Sequence, residues 1–163
     1  MSHKETYFEH VDDLVKHLFY LHGELTPIKL QKTLYFLYAI YAGMYSKDTT
    51  QIKSEEDFQL PDELFPAKFV AWTYGPVIST VCAQQKYHGG YSAKAFEFPN
   101  NNIGQKVKEF VEDVSNQTIS KSDFSLVDRS HEDKAWQEAV NQPNDRMDNE
   151  LIRREYREMM RVH

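Results

Sequence analysis

The chain has 163 residues, 27% charged and 40% hydrophobic, the balance of a globular protein and not of a disordered one. Its 19 basic and 25 acidic side chains give a net charge of −6, which argues against nucleic acid as the main partner. Cys82 is the single cysteine, which excludes an internal disulfide framework and any multi-cysteine metal site.

The length suits one domain spanning 1–163, enough to bury roughly two thirds of its unfolded surface. Met1-Ser2-His3-Lys4-Glu5 leads into no apolar segment, so no secretory signal is read and a cytoplasmic location is expected. Over 7–21, Phe8, Val11, Leu14, Val15, Leu18 and Phe19 recur at helical spacing, and His22-Gly23-Glu24 ends that helix. Thr26 is a good N-cap and Pro27 suits the first helical position, where its missing N–H had no partner to lose. A second helix is therefore expected over about 26–45.

That helix organises the rest. From Leu34 to Tyr45 no residue is charged and apolar side chains cover the whole circumference, so other elements must surround it. The apolar run is too short for a bilayer, which needs about 20 residues, and no membrane association is expected. Two helices joined by a tight turn have the outline of a DNA-reading module. Here the second helix is too apolar for a groove, with Lys29 and Lys32 its only cations.

The stretch 46–66 is polar and acidic, punctuated by Pro61 and Pro66, and reads as a surface excursion tied down by Phe58, Leu60, Leu64 and Phe65. Phe69 to Tyr74 is β-prone, and Gly75-Pro76 is expected to stop it. Pro76 then opens a helix to about Tyr87, with Val77, Ile78, Val81 and Cys82 as its apolar face. Ala95-Phe96-Glu97-Phe98 reads as a second short strand, and Ile103, Val107, Phe110, Val111 and Val114 as a helix. Ser130 with Asp133 forms a capping-box pattern ahead of a helix presenting Trp136, Ala139 and Val140. A last helix over 148–161 shows Ile152, Tyr156, Met159 and Met160. The fold class expected is mainly α: a helical domain around a buried central helix, with a small two-stranded β element.

Chemistry-bearing patterns are few. The sequence holds no Walker A loop, no GxGxxG, no HExxH and no Cys/His pairing at ligand spacing. His131, Glu132 and Asp133, with Asp128 nearby, have the residue types of a metal or acid/base site. Consecutive helical positions point apart, however, and the plainer role is a capping turn. Cys82 beside Val81 reads as a small buried hydrophobe. Trp72-Thr73-Tyr74-Gly75-Pro76 is either a packed turn or a docking edge, because interface hot spots favour Trp and Tyr. Lys29, Lys32, Thr33 and Phe36 share one arc of the central helix, either a solvated cationic start or a face turned to a partner. Positive charge near a helix N-terminus is unfavourable by about 0.3–1 kcal/mol each, which leans toward a functional role.

Three separated motifs together resemble the Panacea antitoxin domain, also described as SocA-like or GepA-like phage-associated proteins. They are Leu25-Thr26-Pro27-Ile28-Lys29-Leu30-Gln31-Lys32-Thr33-Leu34-Tyr35, then Ala71-Trp72-Thr73-Tyr74-Gly75-Pro76-Val77, then Ser130-His131-Glu132 with Trp136. The resemblance covers roughly 7–160. Ser130 stands where that family more often has Thr, and Thr33 where a second aliphatic residue is common. The resemblance implies an antitoxin that neutralises a co-encoded protein toxin by direct binding, without catalysis or cofactor. The alternative it carries is an adaptor that delivers the toxin to a cytoplasmic protease. A minor alternative, from the residues alone, is an acid/base or metal enzyme centred on His131 and Glu132. The positions expected to bear on partner binding are Lys29, Lys32, Tyr35, Trp72, Tyr74, Gly75, Pro76, His131 and Glu132.

Overall fold

The computed structural model describes residues 5–46 and 59–161. Phe58 and most of the acidic excursion therefore lie outside the described residues. Helix α1 (Val11–His22) leads through Gly23 into α2 (Pro27–Tyr45). A hairpin of β1 (Phe69–Trp72) and β2 (Gly75–Ile78) runs into α3 (Ser79–Tyr87). The chain continues through α4 (Asn102–Ile119), α5 (Asp123–His131), α6 (Lys134–Ala139) and α7 (Asn149–Arg161). The fold is mainly α with one small antiparallel sheet among the described residues. No described helix is long and apolar enough to cross a membrane.

Helix α2 is the axis. Thr26 Oγ1 accepts the Lys29 amide at 3.3 Å, and Pro27 opens the first turn. Every residue from Leu30 to Gly43 is buried apart from half-buried Ile40, as a helix apolar all round requires. Helices α7, α4, α5 and α3 and strand β2 pack around it. At Gly43 a Cβ would lie 2.8 Å from the Tyr156 carbonyl carbon, so α7 crosses α2 almost backbone to backbone there.

The tyrosines of α2 are what let so apolar a helix accept polar neighbours. A buried phenol needs a partner for its O–H. Tyr35 donates to Asp133 Oδ2 at 2.5 Å, Tyr38 to Glu63, and Tyr41 to the Pro61 carbonyl at 2.6 Å. At three-residue spacing these hydroxyls tie α2 to the start of α6 and to the segment around Pro61. Leu60, Leu64 and Phe65 from that segment are buried, as expected of anchors for the excursion.

Several local expectations need correction. Helix α1 starts at Val11, not near Tyr7, because the residues before it run alongside another segment: the Tyr7 and Phe8 amides donate to Glu63 and Leu64 carbonyls. Pro76 does not open a helix; it sits in β2, opposite Ala71. A proline is tolerated at a strand edge, where no ladder partner asks for its N–H. Both turn residues, Thr73 and Tyr74, keep negative φ, and Gly75 at φ 108° supplies the backbone reversal that closes the hairpin. Val77 and Ile78 accordingly belong to the strand, and Cys82 on α3 is half-buried.

Ala95–Phe98 is not a strand. Among the described residues no strand lies beside it, and the chain turns to α1 instead, Lys94 N donating to the Lys16 carbonyl and Phe96 N to His17 Nδ1. Helix α4 runs on to Ile119, well past Val114. The capping box does not form. Ser130 lies inside α5, its Oγ donating back to the Val127 carbonyl at 2.8 Å, while the Asp133 carboxylate is drawn inward by Tyr35 and Tyr156. The open N-terminus of α6 is served by Glu155 of α7, whose two oxygens accept the Lys134 and Ala135 amides at 2.9 and 3.0 Å.

Candidate partner-binding site

The three motif stretches meet at the β hairpin. Strand β2 turns its outer edge to α2, and two consecutive α2 side chains satisfy it. Gln31 Oε1 accepts the Ile78 amide at 2.8 Å while its Nε2 donates to the Ile78 carbonyl at 3.3 Å, as a neighbouring strand would. Lys32 Nζ donates to the Pro76 carbonyl at 2.9 Å. On the far edge, β1 is met by the segment ahead of α7: Ala71 N donates to the Asp145 carbonyl at 2.7 Å and Met147 N to the Phe69 carbonyl at 2.9 Å. Edges that would otherwise solicit another strand are therefore occupied.

The turn itself is pinned from α5 and α6. Trp136 Nε1 donates to the Trp72 carbonyl at 2.9 Å, and His131 Nε2 meets the Thr73 carbonyl at the same distance. The carbonyl can only accept, so His131 carries its proton on Nε2. The His131 and Trp136 rings stack, centroids 4.0 Å apart and 19° from parallel. Gly75 completes the arrangement: a Cβ there would stand 2.5 Å from Ser130 Oγ and 2.6 Å from Lys32 Cε. Only a glycine admits both the close approach and the positive φ.

What this cradle holds out is aromatic. Trp72 is 41% exposed and Tyr74 62%, on either side of exposed Thr73, with exposed Glu132 nearby in sequence to the His131 pin. The two aromatic side chains are carried on a turn whose carbonyls are already fixed.

The expected site residues thus divide. Trp72 and Tyr74 reach solvent; His131 is half-buried and acts as a pin; Glu132 is exposed. Gly75 and Pro76 are buried and shape the turn from behind. Lys32 corrects the expectation of a solvated cationic helix start: it is 1% exposed, and burial pulls its ammonium down from 10.5 to about 8. Tyr35 is fully buried. Burial, then the neighbouring Tyr156 and Asp133, raises its phenol well above the ordinary value. Lys29 belongs elsewhere, its Nζ donating to the Ile119 and Lys121 carbonyls at 3.3 and 2.5 Å and pairing with Asp123 at 3.2 Å. At the C-terminal end of α4 positive charge is favourable, which answers its awkward position on α2.

Three residues not expected to bear on the site matter as much. Asp133 accepts from Tyr35, from Tyr156 at 2.6 Å and from Arg129 Nη1 at 2.7 Å, joining α2, α5 and α7 behind the turn. Gln31 had a visible signal, an amide in a helix otherwise buried; Tyr156 had none beyond its place on an apolar face. Among the described residues no group of three His, Cys, Asp or Glu is placed to hold a metal ion.

A second surface feature is an apolar groove of about 360 Å³ between α2, α4, α5 and α7, with Phe36, Ile40, Leu126, Met159 and Met160 among its lining. No protein-family model matches the chain, and neither characterised proteins nor solved structures provide a match.

Proposed function

We propose that the protein is an antitoxin of the Panacea type, a non-enzymatic cytoplasmic protein that neutralises a co-encoded toxin by direct binding through its hairpin tip. The observation supporting this reading is convergence. Three stretches separated in sequence, those on which the resemblance rests, supply the pins of one hairpin: Lys32 from the first, the turn itself from the second, His131 and Trp136 from the third. That investment in a turn makes physical sense if the turn must be held still. Trp and Tyr are the residues that most often anchor protein interfaces, and a pre-ordered pair loses less entropy on docking.

The test is co-expression with the product of the adjacent gene. Wild-type protein is expected to restore growth and to co-purify with that product. The double variant Trp72→Ala/Tyr74→Ala is expected to lose both while keeping its helical circular dichroism. Met160→Asp, in the apolar groove, is expected to keep both. Failure of the wild-type protein in both assays overturns the reading, as does undiminished binding by the tip variant.

A further inference from the structure

The segment 91–99, between α3 and α4, has no regular structure of its own and is held against α1 by a handful of contacts. Tyr91 donates to Asp12 at 3.0 Å, Lys94 N to the Lys16 carbonyl at 3.1 Å, and Phe96 N to His17 Nδ1 at 3.0 Å. Phe96 and Phe98 then close over the N-terminal arm, with ring centroids 4.7 and 6.0 Å from that of Phe8. Phe98 also meets the His17 ring edge-on at 5.2 Å, and Tyr20 stacks on the same ring at 5.9 Å.

The Phe96 contact depends on one protonation state. A backbone N–H needs a lone pair to point at, so Nδ1 must be bare and the ring neutral with its proton on Nε2. That Nε2 is buried and finds no acceptor among the described residues. An imidazolium here would set N–H against N–H at one end and leave a second charged donor unmatched at the other. We propose that the segment 91–99 is a latch opened by protonation of His17: closed while the ring is neutral, released when it takes a second proton, uncovering Phe8 and the adjoining face of α1.

The surroundings agree with this direction. Burial, then Lys108 of α4 and His22 of α1, hold His17 below the usual imidazole value of 6.5. The other charged groups about the segment are Asp13 and Lys16 on α1 and Lys94 and Glu97 on the segment itself, which line a shared surface depression. Released, the ring titrates at its ordinary value. The released form therefore binds more protons below 6.5, and the closed form loses ground as pH falls from 6.5 through the lowered folded value. His22, also lowered by burial, meets Ser115 Oγ at 2.8 Å.

Nitrogen-resolved NMR of the imidazoles, with amide exchange corrected for its intrinsic pH dependence, tests the latch. At pH 8 His17 is expected as the Nε2–H tautomer. Protection of the Phe96 amide is expected to fall by up to about tenfold per pH unit as pH drops from 6.5 toward the lowered closed-state value of His17, while α2 amides stay protected. His17→Asn, whose side-chain oxygen can stand in for Nδ1 and does not titrate, is expected to keep Phe96 protected across the range. An Nδ1–H tautomer at pH 8 overturns the proposal. So does Phe96 protection that stays flat as pH falls below 6.5, or loss of Phe96 and α2 protection together. If His17→Asn does not fold, the wild-type tautomer and paired titration decide alone.

Discussion

Lys32 gives a signature in the pH dependence of stability that follows from its burial. Its ammonium sits 1% exposed, with the Pro76 carbonyl as acceptor, and titrates near 8, whereas in the unfolded chain it titrates near 10.5. The unfolded chain binds the extra proton between these values, so stability rises with pH across that window. The gap corresponds to roughly 3 kcal/mol, of which about 2 kcal/mol is recovered between pH 7 and pH 9.5. Above about pH 10 the trend reverses. Tyr35, Tyr38, Tyr41 and Tyr156 are all raised by burial, so the unfolded chain gives up phenolic protons first. Urea unfolding of the wild-type protein and of Lys32→Met, in reductant at pH 7, 8.5 and 9.5, reads the effect directly. Met keeps the stem that lies against Gly75 and removes the titration. The wild-type midpoint is expected to climb relative to the variant by about 2 kcal/mol in unfolding free energy. Parallel curves for the two proteins would refute a dry, charged Lys32.

Other substitutions probe the same cradle. Gly75→Ala places a methyl group against Ser130 Oγ and Lys32 Cε at a φ of 108°, and is expected to cost roughly 2–4 kcal/mol in urea unfolding. Asp133→Ala strands the buried hydroxyls of Tyr35 and Tyr156, each worth about 1–3 kcal/mol when unsatisfied, so a loss of about 2–5 kcal/mol is expected by the same measurement. Tyr74→Ala, at an exposed position, is expected to change stability by no more than about 0.5 kcal/mol, leaving any loss of partner binding attributable to the contact itself.

The parts of the fold legible in the sequence are those written in local pattern. Thr26-Pro27 announces the start of α2, the uncharged stretch after Leu34 announces its burial, and the spacing of Ile152 and Tyr156 announces α7. What escaped is decided by partners distant in the chain. Ser130 and Asp133 have the local form of a capping box, but one caps nothing and the other is claimed by tyrosines on α2 and α7. Gly75-Pro76 has the local form of a helix start, yet Gln31 and Lys32 offer β2 an edge to lie against. The alternation at Ala95–Phe98 is that of a strand, and among the described residues it has no strand to pair with; a histidine acts as its acceptor instead. In each case the local signal was real and a tertiary hydrogen bond outweighed it.

The same distinction bears on how the motif residues should be tested. Lys32, Tyr35, Gly75 and Pro76 are buried, and His131 and Trp136 spend their ring N–H groups on the turn carbonyls. Substituting any of them disturbs the hairpin before it disturbs a contact, so a lost complex would say little about which atoms touch the partner. Of the aromatic residues in the motifs, only Trp72 and Tyr74 are exposed to solvent. On the proposed reading, the motif residues specify a mount and the exposed aromatics engage the toxin. A variant that frees the mount without removing the aromatics separates the two. His131→Ala leaves the Thr73 carbonyl unpinned at a half-exposed position, where water can replace the lost partner, so the fold is expected to survive. Binding is then expected to weaken mainly through the entropy of re-ordering the turn, with the complex recovered at higher protein concentration. Trp72→Ala/Tyr74→Ala is expected to show no such recovery. Equal loss in both variants, measured by calorimetric titration, would mean that the turn is held still for some other reason.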